Sequence, residues 1–272
     1  MAKSKISSSL CNKRRIALVK KIGVIFIFSL FFISLFVLFL TTDKIKIKNI
    51  VINGNSSVST EEITKIVREV LDEKYLLIIP TDNFFLLQRF EIPEETLINF
   101  KKIKVVDVSL YGFDTLKISV IERVSESFWC FGSPEDSKDC YFMDSSGFIF
   151  AQAPSFTNNI LIKYYGLISK ADPVGENYFS SDKFEKIKYF ISELKKMGFD
   201  PESFFAINEH QYEISLSGGA KIVFDDKEDL LENLLKLKTL IGNDYIKTDK
   251  DSISKINHID LRYGNKVHYD FK

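Results

Sequence analysis

Ile22–Leu40 reads IGVIFIFSLFFISLFVLFL, a run without a charge whose only non-hydrophobic members are Gly23, Ser29 and Ser34. As a helix it reaches about 28 Å, close to the hydrocarbon thickness of a bilayer. A buried core helix and a cleaved signal peptide are the alternatives. A core helix seldom stays apolar on all faces for so long, and a signal core is usually shorter. Leu40-Thr41-Thr42-Asp43 also offers no small-residue cleavage site. The expectation is an uncleaved transmembrane helix over 22–40, preceded by a cytoplasmic basic tail over 1–21.

Charge orients this span. Residues 1–21 hold seven cations (Lys3, Lys5, Lys13, Arg14, Arg15, Lys20, Lys21) and no acid, which leaves 30 basic against 37 acidic residues in the remainder. Lys44, Lys46 and Lys48 follow the span but are outnumbered, so the N-terminus is expected inside and the rest outside. An acidic exterior lacks the basic face that nucleic-acid phosphates require. Cys11 falls in the reducing tail, whereas Cys130 and Cys140 fall outside, where a disulfide persists. Two unpaired buried thiols are the other reading of that pair. Zinc is disfavoured, because no second Cys or His pair sits nearby at ligand spacing.

Outward from the span, Ile45, Ile47, Ile50 and Ile52 alternate as a strand with a register change near Asn49, ending at Asn53-Gly54-Asn55. Ser59 and Glu62 fit a capping box. Ile63, Ile66, Val67, Val70 and Leu71 then form one helical stripe. Tyr75–Phe90 is apolar but irregular. Pro93, Glu94 and Glu95 open a second short helix, followed by strands at Val105–Leu110 and Leu116–Val120. Beyond Arg123 come short strands at Phe128–Phe131, Tyr141–Met143, Phe148–Phe150 and Ile160–Tyr165. A helix led by Ser181 carries Phe184, Ile187, Ile191 and Leu194 and stops at Gly198. Strands at Phe204–Ile207, Tyr212–Leu216 and Lys221–Phe224, a leucine-rich helix over Leu230–Ile241 and a polar linker complete the pattern. Ile256–Leu261 then turns at Gly264-Asn265 into a last strand in which Val267, Tyr269 and Phe271 alternate with Lys266, His268 and Asp270. After Lys272 no segment is expected to cover that strand's outer edge.

IKNIVINGNSSVSTEEI (47–63), YLLIIPTDN (75–83) and TLKISVIER (115–123) resemble a POTRA domain directly after a membrane anchor. Gly112-Phe113-Asp114 stands where that family usually has a proline turn. CYFMDSSGFIF (140–150), APSF (153–156) and INHIDLRYGNKVHY (256–269) resemble the second domain of the FtsQ/DivIB cell-division proteins, and the resemblance runs from Lys13 to Phe271. It implies an α+β architecture: a single transmembrane helix, a POTRA domain (β-α-α-β-β, 45–123), and a mixed, mainly antiparallel β domain with two helices (124–272). It also implies a septal plasma-membrane protein that recruits FtsB/DivIC- and FtsL-type partners and helps regulate septal peptidoglycan synthesis. The partner site maps onto Arg262, Tyr263, Lys266, Val267, His268, Tyr269, Asp270 and Phe271. Arg262 is expected to anchor a partner carboxylate.

Catalytic constellations find little support in the spacing of the candidate groups. Ser145 and Ser146 lack a nucleophile elbow, and Gly147 fits a turn. His210, His258 and His268 have no metal-ligand spacing, although the last two flank the terminal hairpin. Glu61-Glu62 and Glu94-Glu95 resemble paired carboxylates, but first helical turns explain them. No phosphate-binding glycine loop occurs. Trp129 reads as core, and the 230–241 leucines as a core-facing helix too short for a coiled coil. The expectation is a non-enzymatic protein without cofactor, metal or small-molecule substrate. A POTRA-bearing polypeptide-transport component is the alternative, disfavoured by the lack of a second repeat or a barrel. An anchored wall hydrolase is a third.

Overall fold

The computed structural model of the chain describes residues 3–72, 74–75, 79–80, 82–83, 100–154, 161–243 and 250–272. The protein is α+β, with an N-terminal apolar helix, a small mixed sheet with a helix, and a large, mainly antiparallel mixed sheet with helices. Helix α1 (Lys3–Leu40) is continuous through the basic tail. Its Ala17–Leu40 portion is apolar, exposed over most of its length and long enough to cross a bilayer, consistent with a single membrane anchor or a signal sequence. Two compact units divide the chain, Met1–Asn99 with Val105–Ile121 and Phe100–Lys104 with Glu122–Lys272.

In the first unit, β1 (Asn49–Asn53) is followed by α2 (Thr60–Leu71), the two-residue strands β2 (Lys74–Tyr75) and β3 (Ile79–Pro80), then β4 (Ile103–Tyr111) and β5 (Thr115–Glu122). The sheet order is β1-β5-β4, with β1 parallel to β5. Ser59 caps α2, its Oγ accepting the Glu62 N–H at 3.1 Å. The expected stripe is buried at Ile63, Val67 and Leu71, and every second residue of β5 is buried at Leu116, Ile118 and Val120. The strand read from Ile45 begins only at Asn49. Asp43–Ile45 is instead a 3-10 turn, and Lys46 makes an isolated bridge with Asn83. The helix expected from Pro93 lies outside the described residues, as does Ile160.

The second unit contains β6 (Ser127–Gly132), β7 (Ser137–Met143), β8 (Ile149–Gln152), β9 (Lys163–Gly166), α3 (Ser181–Lys196), β10 (Pro201–Ala206), β11 (Gln211–Leu216), β12 (Lys221–Asp225), α4 (Leu230–Gly242), α5 (Lys250–Lys255), β13 (Ile256–Tyr263) and β14 (Lys266–Phe271). Its strands form one sheet in the order β14-β13-β12-β11-β10-β9-β6-β7-β8. Helix α3 connects β9 to the parallel β10, and α4 with α5 connects β12 to the parallel β13. Parallel neighbours need a crossover, and crossovers are right-handed. Because both pairs step the same way along the sheet, α3 and α4 share one face. There Phe190, Leu194, Leu234 and Leu237 join the strand side chains in a single core.

Local chemistry sets these elements. The helix cap falls on Ser180, not Ser181, and it makes no side-chain cap bond. Gly198 (φ 93°) ends α3, with Gly198 N–H on the Lys195 carbonyl and Phe199 N–H on that of Leu194, both at 3.1 Å. This is the glycine-led helix stop expected there. The short α5, where a polar linker was expected, packs on β13 and buries Ile253. Trp129 is a core residue, and its indole N–H reaches the Gly166 carbonyl at 3.2 Å.

Two covalent or ionic ties hold the first strands of this unit. Cys130 and Cys140 face each other across β6 and β7 (Cα–Cα 4.1 Å) and are joined by a disulfide. Arg123 bonds Asp144 through Nη1, donates Nε–H to the Lys101 carbonyl at 3.0 Å, and lies over the Phe148 ring at 4.0 Å. Burial pushes the Asp144 carboxyl up, but Ser146, Arg123 and the Phe148 N–H outweigh it and hold it below the usual value of 3.8. The DSSG segment is therefore a turn braced by its own aspartate.

Removing the disulfide by C130A/C140A is expected to cost about 2–3 kcal/mol by the loop-entropy rule, read from urea unfolding in detergent. Arg123→Ala strands a buried carboxylate and is expected to cost about 3 kcal/mol at neutral pH. Since the Asp144 value is depressed on folding, this contribution is present above pH 3.8 and vanishes as pH falls through the folded value. Wild type and R123A should accordingly converge in stability in acid.

Candidate partner-binding edge

Strand registers arrange the helix-covered face in rows. One row runs Trp129, Tyr164, Phe204, Ile214, Ile222, Ile259 and Tyr269, from β6 to β14. Its first six members are buried, whereas Tyr269, the last, is 36% exposed. Val267 packs partly against the same core, and Phe271 is exposed. The apolar side of the last strand therefore lies on the core face, a point the alternation alone left undecided.

On the opposite face the row Lys163, Ser203, Ser215, Lys221, His258 and Asp270 is polar throughout. Here Asp260 lies opposite His268, and the His268 ring packs edge-on against Tyr263 at 4.6 Å. The two hairpin histidines are therefore diagonal neighbours on one face and are not directly opposed. His258 faces Asp270 instead, and the Asp270 carboxylate accepts from the Asn257 side chain at 3.3 Å.

Strand β14 is the outermost strand of the sheet, and among the described residues no strand pairs with its outer side. The register shifts of the hairpin insert their extra residues in β13, so β14 itself is regular. Lys272 donates its N–H inward to the Lys255 carbonyl at 2.8 Å. Strand alternation then directs the main-chain groups of Lys266, His268 and Asp270 inward, and those of Val267, Tyr269 and Phe271 to the open edge. Edges of this kind are templates for another strand.

Arg262 lies one strand inward. Its Nε and Nη2 grip Asp260 at 2.9 and 2.5 Å, and its N–H donates to Asp260 Oδ1 at 3.1 Å. Burial raises the Asp260 carboxyl, but the Arg262 donors outweigh it and hold it below 3.8. The end of the fork, Nη1 and the second Nη2 N–H, remains for a partner carboxylate. A strand added to β14 would run about 10 Å from β13, two strand spacings away. Asp260 was not among the expected site residues. The signal for it was present, because residues two apart on a strand share a face and DLR sets opposite charges there.

The chain matches no protein-family model and no curated protein.

Asp260→Asn keeps the shape but removes the charge-assisted pair, and is expected to lower stability by about 1.5–3 kcal/mol. The wild-type contribution is present above pH 3.8 and is lost as pH falls through the depressed value. A flatter stability profile for D260N between pH 5 and 3 in denaturant titrations checks it.

Proposed function

We propose that this protein is a membrane-anchored, non-enzymatic scaffold that captures an extended segment of another protein by strand addition to β14. The observation that carries the reading is the regular, unpaired β14 edge, whose outward main-chain groups lie beside an unfinished apolar row. An added strand would gain ladder hydrogen bonds and extend the Trp129–Tyr269 row by one residue. The segment it favours places an apolar side chain beside Tyr269 and donors or cations beside Asp270. The resemblance to FtsQ/DivIB proteins supports the same reading. It makes the partner FtsB/DivIC-like, with FtsL, and the setting the division septum, where septal peptidoglycan synthesis is regulated. In this proposal α1 is an uncleaved span with its basic end inside, and the first unit is a POTRA domain. Tethering raises the effective concentration of the edge near other membrane-bound partners.

Proline discriminates the mechanism from simple misfolding. Tyr269→Pro removes an outward N–H, which an edge strand tolerates, whereas His268→Pro removes one bonded to β13. Y269P is expected to stay folded, with a midpoint well above that of H268P, and to weaken capture of an FtsB-like partner roughly tenfold or more, measured by affinity capture from membranes beside Tyr269→Ala, which loses the same ring but keeps the N–H. H268P should lose the hairpin itself, and deleting Lys266–Lys272 should abolish capture. Undiminished capture by Y269P and by the deletion would overturn the reading.

A further inference from the structure

The turn between β4 and β5 is Tyr111-Gly112-Phe113-Asp114, with Gly112 at φ 69°. Tyr111 is 75% and Phe113 66% exposed, the two most exposed aromatic side chains among the described residues beyond α1. Their place in the fold supplies an apolar neighbour. The Asp114 carbonyl accepts the N–H groups of Lys48 at 2.8 Å and Asn49 at 3.0 Å, just after α1. Lys46 bridges Asn83, and the Asn83 side chain donates to the carbonyl of Leu40, the last residue of α1, at 2.6 Å. From Lys46 to Lys48 the chain spans only about 7 Å. Strand β1 starts at this end of the sheet, where Asn49 pairs with Thr115. A short run of contacts therefore joins the aromatic turn to the C-terminal end of α1. Exposed Lys44 and Lys48 flank the same point.

We infer that the β4–β5 turn rests in the lipid headgroup layer where α1 emerges, with Tyr111 and Phe113 in the interface and Lys44 and Lys48 among the phosphates. Aromatic rings with a polar neighbourhood favour this layer, and lysines there meet anionic lipid. A lone helix leaves the first unit free to swivel about the membrane normal, whereas this second contact fixes its azimuth. The inference rests on the reading of α1 as an uncleaved span.

The test uses the full chain in vesicles of phosphatidylcholine and phosphatidylglycerol that carry a quencher at either a shallow or a deep acyl position. Phe113→Trp adds a reporter at the turn, Phe36→Trp adds one within α1, and native Trp129, which is buried, sets a constant background. The emission added by F113W should shift to the blue and fall with the shallow quencher more than with the deep one. That added by F36W should fall with the deep quencher. Quenching of F36W without quenching of F113W overturns the interfacial turn and leaves the anchor intact. Failure of both reporters to quench overturns the anchor and the inference together.

Discussion

The parallel pairing of β12 with β13 governs most of the second unit. Two parallel neighbours need a long return path, and that path is built from α4 and α5. The same constraint acts at β9 and β10 and is met by α3. Handedness places α3 and α4 on one face, where they contact each other and Glu193 of α3 meets Lys238 of α4 at 3.4 Å. The other face is left to a polar row and, near β6 and β9, to the small cluster of Phe128, Cys130 and Tyr165. Once β13 is fixed beside β12, the following hairpin has one direction left, and β14 becomes the boundary of the sheet.

That boundary is unusual in its chemistry. Natural edges are commonly blunted by bulges, prolines or inward charges. Here both irregularities of the hairpin lie in β13, and the apolar row of the core runs out to Tyr269, which is 36% exposed among the described residues. The edge is therefore regular in its hydrogen-bonding groups and incomplete in its packing. Strand addition would satisfy both deficits in one step.

Both arginines of the second unit are committed internally. Arg123 with Asp144 and Arg262 with Asp260 are tight pairs in which the carboxylate also receives main-chain donors. Such pairs fix local geometry more than they add stability, since desolvation offsets much of their attraction. Arg262 therefore shapes the end of β13 at the same time as it borders the edge. In the first unit the corresponding local device is hydrogen bonding: the Asp114 carbonyl joins the hairpin turn to the chain leaving α1.

Hydrophobic period and end signals, read along the chain, determined α1, the α2 stripe with its Ser59 cap, the alternation of β5, the glycine stop of α3 and the terminal hairpin. Those properties depend on residues within a few positions of each other, so they are written locally. The pairing of Cys130 with Cys140 needed the β6–β7 register to choose between bonded and free thiols. Strand order, the parallel pairs, the core-facing side of β14, the opposition of His258 to Asp270 and the commitment of Arg262 to Asp260 were decided only by tertiary structure. The first two depend on which distant strand lies alongside, and the next two on the hairpin register and on packing of β14 against the rest of the sheet. The last depends on an i, i+2 contact that exists only once β13 is extended. In the same way Gly112-Phe113-Asp114 is an ordinary turn in sequence, and only the fold sets it beside the end of the apolar helix.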